Sequence, residues 1–382
     1  MKKELKSKKF KFIPVNKPLI TKEDISYLNK SISKGWISSE GPEVKKFEND
    51  FSNFIGHKYS VAVSSGTAAL EIAVKSLNLK KNDEVIIPNF TIISNAIAVL
   101  KENLNIKLID CNIKDWNMNI SEVKKKITKK TKAIIATHIY NFPLRVDILK
   151  KICNKNKIIL IEDAAEAIGQ KLNNKLCGSF GDISIFSFYA NKQITTGEGG
   201  MITTNNKKLF EKSKSLRNLC FGKKDRFNHE DIGWNYRMTN LQASLGVSQL
   251  KRIRSIVHKR HLVGKEYFQR LKYNKNIYIP EISRNYAKNI YWVIAFVITN
   301  KNLNIDAKKM MKKLITYGIQ TRPFFWPMHK QKIFKEKYKI NTSGNYKNSE
   351  YISKYGLYLP SSLDIKSNQI KFICDKVNSI LK

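Results

Sequence analysis

Between residues 59 and 204 the chain alternates short β-branched runs with segments of helical spacing, and nothing else constrains its fold as strongly. The apolar runs fall at 60–63, 84–88, 106–109, 133–137, 158–162, 183–188 and 200–203. Helix-period segments occupy 67–77, 92–100, 122–127 and 146–154, and a further one, 207–219, follows the last run. Alternation of this kind predicts a mainly parallel sheet with helices packed on it, an α/β fold. Ligands of such sheets sit beyond the carboxyl ends of the strands. The residues that close each run are therefore the first place to look for chemistry.

The run 183–188 passes into Asn191-Lys192 and then into a stretch holding Gly197, Gly199 and Gly200. A lysine there either leaves for solvent or is buried, and full burial lowers its pKa by up to about 3–5 units. A neutral lysine is the nucleophile that joins an aldehyde cofactor. The run 158–162 delivers Glu162-Asp163 and then small residues. Pyridoxal phosphate (PLP) needs a carboxylate against its pyridine nitrogen so that the ring can accept electrons. Strand polarity suits Asp163 to that role, although capping a helix is the commoner use of Asp. The run 60–63 leads into Ser65-Gly66-Thr67 and a helix-period segment. Free N–H groups at a helix start, with a glycine allowing close approach, make a phosphate cradle, and Ser187 can add a hydroxyl. Asn89, Phe90, Thr91 and His138 close other runs. One such turn is weak evidence; three strand ends offering cradle, carboxylate and amine in that order are strong.

These residues resemble the motifs of fold-type I PLP enzymes, specifically the sugar-nucleotide aminotransferases of the DegT/StrS type. The matching segments are Ser65-Gly66-Thr67, Glu162-Asp163-Ala164-Ala165-Glu166, Phe186-Ser187-Phe188 with Asn191-Lys192, Thr195-Thr196-Gly197-Glu198-Gly199-Gly200-Met201 and residues 233–243. Within the family, residues 188–201 and 322–329 are most similar to GDP-perosamine synthases. The resemblance implies a fold-type I transferase. Residues 1–255 would hold the N-terminal region and a large PLP-binding α/β domain, and 256–382 a smaller α+β domain. It implies Lys192 and Asp163 as catalytic residues. Cofactor contacts would come from Ser65, Gly66, Thr67, Ile92, Asp163, Glu166, Ser187 and Lys192, with Asn235 reaching the site of a dimer partner. Trp36, Arg322, Phe324 and His329 would meet the substrate. Two positions depart from the pattern. Ile92 stands where many members stack an aromatic ring on the cofactor, and Glu166 stands where some carry glutamine. A carboxylate against the cofactor's 3′-oxygen would have to be protonated or displaced, because two anions in contact repel.

The activity so implied transfers the amine of L-glutamate to a nucleotide-linked 4-keto-6-deoxy sugar, turning GDP-4-keto-6-deoxy-D-mannose into GDP-perosamine. The UDP-4-keto-6-deoxyglucose counterpart is the alternative substrate. Related sugar dehydratases carry histidine where this chain has Lys192, so the lysine argues for transamination. A regulatory or nucleic-acid-binding protein on a degenerate PLP fold is a further alternative, and charge is what speaks for it. The 382 residues include 70 Lys and Arg against 31 Asp and Glu, a formal charge of +39. A nucleic-acid module would gather its charge with aromatics in one segment. Here the charge is spread along the chain, apart from a dense group at Lys251, Arg252, Arg254, Lys259 and Arg260. No nucleic-acid partner is expected, and an anionic nucleotide sugar would be steered by the same field.

No window approaches 18 uninterrupted apolar residues, so no membrane span is expected. The basic N-terminus lacks the apolar core of a signal peptide, and a cytoplasmic location follows. The five scattered cysteines form no Cys-x-x-Cys pair; reduced thiols and no metal site are expected. Outside the sheet, Thr21 and Asp24 mark a helix start closed by Gly35, and 43–55 is helical with Val44, Phe47 and Phe51 on one face. Residues 240–271 read as one long helix. Beyond it come a strand at 291–299, helices at 307–317 and 368–381, and an aromatic loop, 321–329, which is either a lid over the substrate or a core cluster.

Overall fold

Local chemistry sets the first two helices. The computed structural model describes residues 12–222, 224–338 and 340–382, so most of the basic N-terminal stretch lies outside the described residues. Helix α1 (Lys22–Ser33) begins at a reciprocal capping box between Thr21 and Asp24. Helix α2 (Pro42–Ile55) carries proline in its first turn and ends at Gly56, whose φ of 83° is a left-handed conformation that favours glycine.

The alternating region follows as β1 (Tyr59–Val63), α3 (Gly66–Ser76), β2 (Glu84–Pro88), α4 (Ser94–Lys101), β3 (Asn105–Ile109), α5 (Ile120–Lys126), β4 (Thr131–Thr137), α6 (Val146–Asn156) and β5 (Ile159–Asp163). A short hairpin of β6 (Lys171–Leu172) and β7 (Lys175–Leu176) precedes β8 (Ile183–Ser187), β9 (Gly200–Thr204) and α7 (Lys207–Arg217). Seven of these strands form one sheet in the order β1-β9-β8-β5-β4-β2-β3. It is the mainly parallel sheet that the alternation predicts, with β9 alone antiparallel to its neighbours β1 and β8. Side-chain alternation sorts each strand between two cores. Val61, Val63, Ile183 and Ile185 face α3 and its neighbours, whereas Ala62 and Phe186 face α2.

Phe51 is the pivot of the α2 side. Its ring is fully buried, with centroids 4.8 Å from Phe186 and 5.4 Å from Phe188. Phe51→Ala is expected to lower unfolding free energy by about 3–5 kcal/mol, the cost of an unfilled aromatic cavity. Urea denaturation of the variant measures it.

The segment 240–271 is not one helix. It is divided into α8 (Asn240–Lys251) and α9 (Ile253–Leu271), with Arg252 at φ −100° and ψ 6° between them. The break lies where the Arg252 guanidinium meets the buried Asp24 carboxylate at 2.6 Å. Asp24 also accepts hydrogen bonds from Ser248 and Gln249, so α1 is tied to the end of α8. The two halves then serve different partners, α8 against α1 and α2, α9 against the C-terminal helix.

That C-terminal part comprises β10 (Ile277–Tyr278), β11 (Ser283–Arg284), β12 (Ala287–Lys288), β13 (Ile294–Ile298), α10 (Ala307–Thr316), β14 (Arg322–Pro323), α11 (Lys332–Glu336), α12 (Lys347–Tyr355), β15 (Gly356–Leu359) and α13 (Ser367–Ile380). Four of its strands make a second, antiparallel sheet in the order β10-β13-β15-β14. Sequence reading did not anticipate α12 and β15. All five cysteines are free and buried. Among the described residues no helix is long and apolar enough to cross a membrane.

Candidate active site

The carboxyl ends of β1, β4, β5 and β8 open onto one cavity of about 320 Å³. Ser65, Gly66, Thr67, Ile92, Asp163, Glu166, Ser187 and Lys192 all line it. At the end of β1, Ser65 caps α3 by accepting the Ala68 N–H at 3.1 Å. The first-turn N–H groups of Gly66 and Thr67 have no intrahelical carbonyl to bind, and Thr67 Oγ1 pairs with Ser94 Oγ at 2.8 Å. The turn sits hard against its neighbours. A Cβ on Gly66 would lie 2.8 Å from Ser187 Cβ, and one on Gly200 would lie 2.4 Å from the Ser65 carbonyl oxygen. Glycine is needed at both places for the cradle to rest on β8 and β9.

Consecutive carboxylates at the end of β5 have opposite fates, because successive side chains on a strand point to opposite faces. Glu162 turns inward. It accepts the backbone N–H groups of Gly178, Phe180 and Gly181 and a 2.9 Å bond from His138 Nε2. Since His138 Nδ1 accepts the Leu144 N–H, the ring proton is on Nε2. Burial alone would raise the Glu162 pKa, yet the His138 bond and the backbone donors hold it below the usual carboxylate range. Asp163 instead faces the cavity. Its Oδ2 accepts from Asn95 Nδ2 at 3.2 Å and Thr137 Oγ1 at 3.4 Å, and its Oδ1 accepts the Ala165 N–H. Burial pushes its pKa up, against the Ala165 bond and the Lys192 charge.

Lys192 lies in the loop between β8 and β9, which begins past Ser187. Burial lowers its pKa, and the Glu166 and Asp163 carboxyls work the other way. Glu166 accepts the Tyr140 N–H at 2.8 Å, and burial raises its pKa well above the ordinary glutamate value. A carboxyl with a raised folded-state pKa favours the fold at low pH. That contribution disappears as pH rises from the ordinary glutamate range through the raised value. Glu166→Gln is therefore expected to gain melting temperature over the parent increasingly between pH 5 and 9 in PLP-free protein. A pH series of thermal melts checks the slope.

The remaining residues named from sequence are placed differently. Arg322, on β14, lines a smaller adjoining cavity of about 150 Å³ that shares Tyr189, Asn191 and Tyr358 with the first. Phe324 does not line the Lys192 cavity. It is 4% exposed and packs among Phe90, Trp116 and Tyr140, so it is core, and Phe325 lines the cavity in its place. His329 does not line that cavity either. It is buried with Nδ1 3.1 Å from Asn89 Oδ1 and Nε2 2.9 Å from Glu350, fastening the 3₁₀ turn Met328–Lys330 to the end of β2. Trp36 and Asn235 are exposed and outside the cavity of their own chain. Ile92 does line the cavity, on the loop ahead of α4, and is 44% exposed.

Sequence reading missed Asn95 and Thr137, which hold Asp163, and Tyr358 and Trp292, which line the cavity from the C-terminal part. For Asn95 the signal was present: it lies four residues beyond Thr91, one helical turn, on the helix after β2. Nothing local marks Trp292 or Tyr358.

The DegT/DnrJ/EryC1/StrS aminotransferase family pattern matches residues 18–378. GDP-perosamine synthase of Escherichia coli O157:H7 is 33% identical over 368 residues, covering 96% of this chain and 98% of that one. The GDP-perosamine synthase of Vibrio cholerae is 34% identical over 370 residues, again 96% and 98%. Among solved structures, Helicobacter pylori PseC, an aminotransferase involved in the biosynthesis of pseudoaminic acid, has the same fold with a TM-score of 0.91. It is 24% identical, with 97% of this chain and 99% of that one covered. With that match over nearly its whole length, and Lys192, Asp163 and the Ser65-Gly66-Thr67 turn around one cavity, the chain belongs to the DegT/DnrJ/EryC1/StrS aminotransferase family.

Proposed function

We propose that the chain is a PLP-dependent aminotransferase that converts GDP-4-keto-6-deoxy-D-mannose to GDP-perosamine, with L-glutamate as amino donor. The observation that carries the reading is the Lys192 side chain in one cavity with Asp163 and a helix-start cradle. The choice of sugar is supported by 33% and 34% identity to two GDP-perosamine synthases.

The residues present fit PLP. The unpaired first-turn N–H groups at Gly66 and Thr67 line the cavity and can take a phosphate, Gly66 lets that turn lie close against Ser187, and the buried Asn191 Oδ1 beside the lysine has no hydrogen-bond partner. When bound, PLP supplies an aldehyde that takes up amines and a ring that accepts electrons. Lys192 would hold it covalently, Asp163 would meet the ring nitrogen, and Ser65, Gly66, Thr67 and Ser187 would hold the phosphate. Ile92 would cover the ring by apolar contact, and Glu166, neutral through burial, would face the 3′-oxygen. Lys192 Nζ takes the proton from the α-carbon of the donor and supplies one to C4 of the sugar in the return half-reaction. Its lowered pKa favours the neutral amine needed for the first step.

In this reading residues 1–255 form the PLP-binding part and 256–382 the smaller domain, with the division inside α9. Two copies associate, and the exposed Asn235 and Trp36 of each serve the site of the other. The test is incubation with L-glutamate and either GDP-4-keto-6-deoxymannose or its UDP-glucose-derived counterpart, followed by mass spectrometry. Amination of the GDP sugar is the expected result. Amination of only the UDP sugar, or loss of oxygen without gain of nitrogen, would overturn the assignment.

A further inference from the structure

Trp292 touches Lys192 and the residue before it. Lys192 Nζ lies over the indole face, 4.0 Å from the ring centroid. The Trp292 Nε1–H donates at 3.0 Å to the carbonyl of Asn191, the residue before the lysine. One side chain thus holds both the amine and the peptide that carries it.

The indole is itself held on a pedestal from the C-terminal part of the chain. It is 3% exposed and stacks on Tyr140, with centroids 5.8 Å apart and planes at 26°. Arg260 of α9 donates to the Trp292 carbonyl at 3.2 Å and to that of Ser361 at 2.8 Å. The preceding Tyr291 has a φ of 49°, a left-handed conformation that costs an aromatic residue free energy. It is kept there by the Asn289 side chain, which accepts its N–H at 2.9 Å. Its ring occupies a notch in α9 at Gly264, where any Cβ would lie 2.1 Å from Tyr291 Cγ. So much local support for one indole indicates that its position matters.

The electrostatics explain what the position does. The titratable groups that share the cavity with Lys192 are Asp163 at the end of β5, Glu166 beyond it, Tyr189 after β8, Glu198 ahead of β9 and Tyr358 of β15. Asp163 and Glu166 are both pushed toward the neutral form by burial. Each of these carboxyls favours the charged amine only as far as it is ionised, and the aromatic face is a further source of negative potential beside it.

We propose that Trp292 is a positioning residue for Lys192: its ring face holds the ammonium and its N–H fixes the Asn191 peptide, keeping the amine beside Asp163 and Glu166 whenever it is not in covalent use. This rests on the reading of Lys192 as the reacting amine. It adds that the C-terminal part of the chain sets the direction and charge of that amine.

The experiment uses PLP-free protein and needs no turnover. Acetic anhydride labels lysine amines in competition across pH 6–11, and peptide mass spectrometry gives the labelling midpoint of Lys192 against the chain's other lysines. A ring face favours the charged form, so its loss lowers the midpoint. Trp292→Leu is expected to lower it by about 1 pH unit, about a tenfold faster labelling of Lys192 at neutral pH, with other lysines unchanged. Trp292→Phe keeps a ring and loses the N–H, and is expected to recover about half of the shift. A parental midpoint in Trp292→Leu, or equal shifts in both variants, would overturn the proposal. If Trp292→Leu does not fold, 5-fluorotryptophan incorporation keeps the shape and weakens the ring face. The midpoint should then fall by a few tenths of a unit, and an unchanged value counts against the proposal. A wrong substrate leaves all these midpoints untouched, so failure here is separable from failure of the functional reading.

Discussion

Lys192→Ala is expected to lose turnover by about 10⁴-fold or more, because covalent attachment and proton transfer are lost together. The absorbance that lysine-bound PLP gives should vanish with it. The protein should remain folded. Burial disfavours the charged form of Lys192, so its removal is expected to leave the melting temperature equal or higher. The pairing of lost activity with retained stability distinguishes a chemical role from a structural one. Added methylamine should restore part of the proton transfer if the amine is the missing element. Retained turnover in the variant would remove Lys192 from the chemistry altogether.

Asp163→Asn carries the second largest expected effect, a fall in kcat of about 10²–10⁴-fold. The side chain keeps its shape, and Asn95, Thr137 and the Ala165 N–H remain as neighbours. What it loses is the ability to carry negative charge. In the PLP-free cavity burial favours the neutral acid, but a protonated ring nitrogen opposite it would reverse that preference through charge pairing. An amide cannot respond in this way, so the ring would no longer be kept protonated. The two variants separate by spectrum. Asp163→Asn should still attach PLP to Lys192 and show slow absorbance changes with L-glutamate, whereas Lys192→Ala should show no attachment. Rates of the glutamate half-reaction in a stopped-flow instrument measure the difference.

Much of this arrangement was legible before any coordinates. The large sheet was readable because most of its strands are runs of apolar, β-branched residues that alternate with segments of helical spacing. Asp163, Lys192 and the Ser65-Gly66-Thr67 turn were legible for the same reason, since each lies at or just beyond the end of such a run. The C-terminal part was harder. Helix α12 and β15 are short, nine and four residues, and follow each other with no turn residues between to mark where one ends and the next begins. Phe324 and Phe325 are adjacent and chemically alike, and only the pairing of β14 with β15 decides which ring turns into the core. Trp292 lies about 100 residues beyond Lys192 and is aimed by Arg260, Asn289 and Gly264. No local pattern could announce that convergence. The split between α8 and α9 was hidden for a related reason, because the ion pair at Arg252 involves an aspartate near the other end of the chain.

Reduction of PLP-loaded protein with borohydride, followed by proteolysis and peptide mass spectrometry, tests the central claim most directly. The expected result is a stoichiometric phosphopyridoxyl group on the peptide carrying Lys192, and its absence from Lys192→Ala. A label carried mainly by any other lysine, or no stable label on a protein that still aminates the sugar, would contradict the account.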